Sequence, residues 1–291
     1  MTPRGGTAVW LVVLALVQAA AFIVVWRYAL HTGTGQWIDT VALTGNRIGR
    51  DRIEEPVNRI LNAMSVVSLL AATVMIGFIA LIRGRVALAV AATLLIAGSN
   101  VTTQALKYVL TRPDYGIDPE RAFVGNSLPS GHTTVAASVA VALVLVLPPK
   151  VRGFAAVLGA GYAAIAGVAT LSASWHRPSD AVAAYLVVGV WAALAGLLLL
   201  TTQRERAQVA SADAHRLTPL LLGLGGLLAI AGCALALWWL LGQRDTPAAE
   251  LGRRPLFLGY AGSAAGIAGS MGVVMALVLA AVHRIVPREQ G

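Results

Sequence analysis

Apolar residues run along this chain in eight long blocks separated by short polar segments. The blocks fall at residues 8–30, 60–82, 86–110, 131–147, 152–173, 181–201, 217–241 and 257–282. Each is about 20 residues, the length an α-helix needs to cross a hydrocarbon layer. The pattern predicts an all-α integral membrane protein with about eight spans. The fourth block is short and stops at Pro148-Pro149. The first follows Arg4 and contains Gln18-Ala19-Ala20-Ala21, which resembles a signal-peptide cleavage site. Its apolar run continues to Val25, so an uncleaved anchor is expected. The longest polar stretch between blocks is His31 to Arg59. Within it Trp37, Ile38, Val41 and Ala42 recur at helical spacing with Asp39 and Thr40 opposite. That spacing fits a short helix lying in the membrane interface, with an irregular loop as the alternative.

Composition narrows the class. Of 291 residues 57% are hydrophobic and only 12% charged. Soluble proteins carry about a quarter charged residues, and disordered chains lack this apolar content. The net charge of +9 sits in short loops between apolar blocks. It points to anionic lipid headgroups rather than a nucleic-acid partner. Counting bases on the two faces does not orient the chain. Their density in the shorter loops favours a cytoplasmic N-terminus. The single cysteine, Cys233, lies inside an apolar block and excludes an internal disulfide and any cysteine-based metal cluster. The polar segment Thr201–Arg216 divides a six-helix region, 1–201, from a two-helix extension, 202–291. In the extension Gly262, Gly266, Gly269 and Gly272 have the spacing of close helix packing.

Three polar clusters interrupt the apolar pattern. The first, Lys107 to Pro113, closes the third block. The second, Pro129-Ser130-Gly131-His132, opens the fourth. The third, His176-Arg177-Pro178-Ser179-Asp180, lies between the fifth and sixth. Chain reversal alone puts all three on one membrane face. The first two flank one loop, and the fourth and fifth blocks make one round trip back. Lys107 and Arg112 are fixed cations suited to phosphate oxygens. Ser130 and Gly131 open a helix, whose free N–H groups bind anions, and Gly131 admits close approach. His132 beside such an anion can protonate a leaving oxygen. Asp180, four residues after His176, can hold one imidazole nitrogen and free the other for attack on phosphorus. Together they fit phosphoryl transfer through a phosphohistidine. Each piece also has a plainer reading: interfacial cations, a serine-capped helix start, an aspartate N-cap.

Pro129-Ser130-Gly131-His132 and His176-x-x-x-Asp180 resemble the type-2 phosphatidic acid phosphatase superfamily of lipid phosphatases and vanadium haloperoxidases. Its pattern is Lys-x6-Arg-Pro, then Pro-Ser-Gly-His, then Ser-Arg-x5-His-x3-Asp, and the resemblance covers about residues 1–201. It implies a six-helix core with the site on the extracytoplasmic face of the cell membrane. His176 would be the nucleophile, Asp180 its orienting partner and His132 the general acid. Lys107, Arg112, Ser130 and Gly131 would hold the phosphate. No metal and no cofactor is implied, and the substrate would be a membrane lipid phosphate or diphosphate of polyprenyl, phosphatidate or phosphatidylglycerol phosphate type.

Two departures stand out. The first motif reads Lys-x4-Arg-Pro, and on a continuous helix five residues place the two cations about 140° apart. Pro113 disfavours helix at Arg112, so the chain can swing that side chain back. In the third motif Ala169 and Thr170 replace Ser and Arg. One phosphate-binding cation is thereby missing, with Arg177 or Arg121 as substitutes. Transfer to an acceptor other than water, or a non-catalytic transporter or lipid-binding protein, are the alternative functions.

Overall fold

The computed structural model describes residues 3–48, 50–62, 66–82, 84–118, 125–202 and 217–285. They form ten α-helices and a short 3-10 turn: α1 Pro3–His31, α2 Gly33–Gly45, α3 Arg50–Asn62, α4 Val66–Ile82, α5 Val86–Val109, α6 Gly131–Val146, α7 Pro149–Ser172, α8 Pro178–Thr202, α9 Leu217–Leu241 and α10 Arg253–Ile285. Six of these are long and apolar enough to cross a membrane: α1, α5, α7, α8, α9 and α10. The apolar part of α4 and all of α6 are shorter. Every expected block is helical in its described part except at the last residue of three, Leu110, Leu147 and Ala173, and the polar segment 203–216 lies outside the described residues.

Small residues bring the central helices together. Ala136, Ala137, Ala140, Ala156, Ala163, Ala166, Ala181 and Ala195 are buried in one apolar core with Leu88, Leu95, Val144 and Val188. Small side chains let membrane helices approach closely, where packing replaces the hydrophobic drive that lipid cannot supply. Tyr185 enters this core and donates its hydroxyl proton to the Ala163 carbonyl at 2.8 Å. A Cβ on Gly167 would collide with that hydroxyl.

The last two helices behave differently from each other. α9 exposes Leu220, Leu221, Leu224, Leu227, Leu228 and Trp238, as a lipid-facing helix would. α10 packs against α9 and also against α2, α7 and α8. Its Ile267, Met271, Met275 and Leu279 are fully buried in the main core. The expected glycine stripe is the α9–α10 seam. A Cβ on Gly262 would stand 2.7 Å from Ala236, one on Gly266 2.7 Å from Cys233 Sγ, and one on Gly269 2.6 Å from the Gly226 carbonyl.

The stretch after α1 holds the expected short helix, α2, and a further one, α3. α2 does not lie with a wet polar face: Gln36, Asp39 and Thr40 are as buried as Trp37 and Val41. The polar face is covered because its groups find partners. Gln36 donates to the carbonyls of Leu30 and Pro113, and Thr40 to that of Gln36. Thr32 caps the helix by accepting from the Gly35 amide at 2.9 Å. α3 packs on α7 through Val57 and Leu61 against Ala169 and Ala173. On the opposite end of the bundle, Arg152 is buried and donates to the Val144 and Leu147 carbonyls, closing the C-terminal turn of α6.

Candidate functional site

The three polar clusters meet at one end of the bundle, where α5 stops and α6 and α8 start. α5 ends at Val109 because Leu110 turns extended, and the chain stays non-helical through Pro113. Lys107, in its last turn, reaches the start of α6. A Cβ built on Gly131 would stand 3.6 Å from Lys107 Nζ and 3.5 Å from Gln104 Nε2. The missing side chain leaves that space to the ammonium group.

Ser130 is the N-cap of α6. Its Oγ accepts the Thr133 amide at 3.3 Å and the Thr133 hydroxyl at 2.9 Å, and the residue is fully buried. The capping reading of Ser130 therefore describes its side chain, which shapes the helix start. The amides of Gly131 and His132, the first two of the helix, have no intrahelical acceptor. The Ser130 amide donates to the Asp180 carbonyl at 2.9 Å, locking the start of α6 to the first turn of α8.

His176 arrives on a tight turn after α7. The Thr170 carbonyl accepts the amides of both Trp175 and His176, at 3.0 and 3.1 Å. Ser174 in that turn adopts φ 60°, a left-handed conformation rare for a non-glycine residue. Asn46, just past α2, holds it: Nδ2 donates to Ser174 Oγ at 2.6 Å and to the Leu171 carbonyl at 2.8 Å. Thr170 itself is buried, with its hydroxyl bonded back to the Gly167 carbonyl at 2.8 Å. At the position where the resemblance expects arginine, the side chain thus serves its own helix.

His176 Nδ1 lies 3.1 Å from Asp180 Oδ2. The same oxygen accepts the Ser127 hydroxyl at 2.6 Å and the Arg177 amide at 3.0 Å. Asp180 is fully buried. A carboxylate only accepts, so Nδ1 carries a proton, and in the neutral ring the lone pair is then on Nε2. The His132 and His176 rings are 6.4 Å apart between centroids, and His132 rests 5.2 Å from the Trp175 ring.

Arg112 joins a second group. Its side chain is buried with Nη1 4.0 Å from Asp39 Oδ2. Asp39 accepts the Ser179 hydroxyl at 2.6 Å and the Ser179 amide at 3.4 Å, so α2 caps the start of α8 from outside. Burial pushes the Asp39 carboxyl up to about 6, against the pull of Arg112. Arg177 Nη2 pairs with Asp118 at 3.0 Å, and Nη1 donates to Ser127 at 3.4 Å. Arg121, the other proposed substitute cation, lies outside the described residues.

Sequence reasoning missed Asn46, Asp118 and Ser127 and placed Asp39 only on the polar side of a short helix. Asp39 left a signal, since a carboxylate at helical spacing beside an apolar face is a candidate for burial. The other three are placed only by tertiary contact.

Compared with known proteins, residues 86–206 match the family model of the PAP2 superfamily. That stretch runs from the start of α5 past the end of α8 and holds all three clusters. The comparisons with curated proteins and with solved structures gave no match.

Proposed function

From the match of residues 86–206 to the PAP2 superfamily model, we propose that the protein is an integral-membrane lipid phosphatase working through a phosphohistidine. The superfamily match supports a phosphoester hydrolase. The observation that carries the finer reading is the pair of imidazoles 6.4 Å apart, one with its far nitrogen held by a buried aspartate. Attack needs about 3–3.5 Å between nitrogen and phosphorus, and proton donation about 2.6–3.2 Å. The ring spacing suits one phosphoryl group in contact with both.

The phosphate sits against Lys107 Nζ and the free amides of Gly131 and His132, a helix start shaped by the Ser130 cap. Arg112 adds positive charge from the adjoining segment. His176 Nε2 attacks phosphorus, the phosphorus–oxygen bond to the lipid breaks, and His132 gives its proton to the leaving oxygen. Asp180 stabilises the positive charge that develops on His176. Water then attacks the phosphohistidine, passes its proton to His132 and releases inorganic phosphate, restoring both rings. The clusters lie at helix ends, where a lipid headgroup stands while its tails remain in the bilayer. Cytoplasmic termini and an extracytoplasmic site complete the proposal, with 1–201 as catalytic core and 202–291 as extension.

Purified protein in detergent is expected to release phosphate from lipid phosphates, and His176→Ala to abolish release with an unchanged unfolding temperature. Undiminished release by that variant would overturn the mechanism.

A further inference from the structure

Beside the paired imidazoles lies a cleft of roughly 290 Å³, open to solvent and walled by Gln36, Arg112, Pro113, Asp114, Asp118 and Arg177. Gln36 fixes one wall by donating to the Pro113 carbonyl at 2.7 Å. The arginine side chains are only 8% and 3% exposed. Arg112 Nη2 and Arg177 Nε are buried and have no hydrogen-bond partner among the described residues. Buried cationic donors left unpaired are costly, and two guanidinium groups facing one cleft also repel each other. The neighbouring acids offset this charge in part but leave both donors without a hydrogen bond. Asp118 pairs with Arg177 Nη2 and attracts Arg112 only through space. Asp39 is 4.0 Å from Arg112, beyond hydrogen-bond range, and its oxygens are committed to Ser179. With its carboxyl pushed up to about 6, Asp39 also carries an incomplete charge at mildly acidic pH.

The cleft adjoins the reaction centre. Ser127 donates to Asp180 Oδ2 on one side and accepts from Arg177 on the other, and Arg177 directly follows the nucleophile candidate. We propose that Arg112 and Arg177 form a subsite for a second phosphate-class group of the substrate, the one that is not transferred. This rests on the lipid-phosphatase reading and narrows its substrate to lipids with two adjacent anionic groups, such as a diphosphate. Guanidinium forks suit phosphate oxygens in two-point contact. The subsite also supplies cationic charge that Thr170, in the arginine position of the third motif, does not.

The test uses full-length protein in detergent with farnesyl diphosphate and farnesyl monophosphate, which share one chain. For Arg177→Gln the ratio of kcat/KM for diphosphate to that for monophosphate should fall about tenfold, mainly through KM on the diphosphate. Asp118→Asn frees Arg177 and should move the ratio the other way. Equal losses on both substrates, or an unchanged ratio in both variants, would overturn the subsite. A binding arm is independent of turnover and of the folding of any one variant. Inorganic pyrophosphate should raise the unfolding temperature of wild type more than inorganic phosphate does. Arg177→Gln and Arg177→Lys should each lose that difference. If wild type hydrolyses neither lipid, the phosphatase reading fails and the binding arm still decides the subsite. If orthophosphate alone gives the whole Arg177-dependent shift, the cleft takes free phosphate and the inference is wrong.

Discussion

Asp180 Oδ2 gathers three donors, from His176, Ser127 and the Arg177 amide, and so leaves Nε2 of His176 as the nitrogen not bound to it. Asp180→Asn would replace one acceptor by a donor and disturb that tautomer. A loss of about 10²–10⁴ in kcat is expected, with a smaller change in KM. His132→Ala should lose activity in the same range on alkyl phosphates and much less on an aryl phosphate, whose leaving group needs no proton. Comparing the two substrates on the purified variant checks the assignment. Asp39 carries a stability prediction. Its folded value of about 6 lies above the ordinary 3.8, so the native state prefers the protonated form. Its contribution is full below about pH 4 and is lost as pH rises through about 6, amounting to about 3 kcal/mol. Asp39→Asn should flatten the fall in unfolding temperature between those pH values. The motif residues were legible because Pro-Ser-Gly-His and His-x-x-x-Asp are local patterns. Asp39 and Asn46 were not legible as site neighbours, since they reach the third cluster and the turn before it from over a hundred residues away.

At the scale of elements, apolar runs identify a helix wherever lipid or core covers every side, and α1, α5, α7, α8, α9 and α10 followed that rule. α3 did not, because it is polar and contains Pro56, which removes one backbone donor. It is held by contact with α7 instead. The glycine stripe of α10 was readable as a packing surface, and its partner is α9. Gly269→Leu would drive a side chain into the Gly226 backbone and Ala229. A loss of about 1–3 kcal/mol is expected from overpacking, seen as a lower unfolding temperature in detergent with kcat retained. Gly131→Ala should act oppositely. Its Cβ meets no atom closer than 3.5 Å, so the fold survives, while the space beside Lys107 shrinks and KM rises.

For the molecule as a whole, chain reversal predicted the meeting of the three clusters, and they do meet at one end. The depth at which α10 enters the core was not readable, because its small residues signal close packing without naming the partners. An exposed position near the site tests the orientation. Asp114→Cys in intact cells should react with a membrane-impermeant maleimide, given that the native Cys233 is half-buried between α9 and α10. The 16 residues of α6 reach only about 24 Å, against a hydrocarbon layer of about 30 Å. With Arg152 holding its far end, such a helix is expected to leave its first amides short of the headgroup plane. The membrane must dimple there or the headgroup must sink, and either is easier in a thin bilayer. Turnover should accordingly rise in vesicles of short-chain lipids and fall in those of long-chain ones, making membrane thickness itself a regulator of this site.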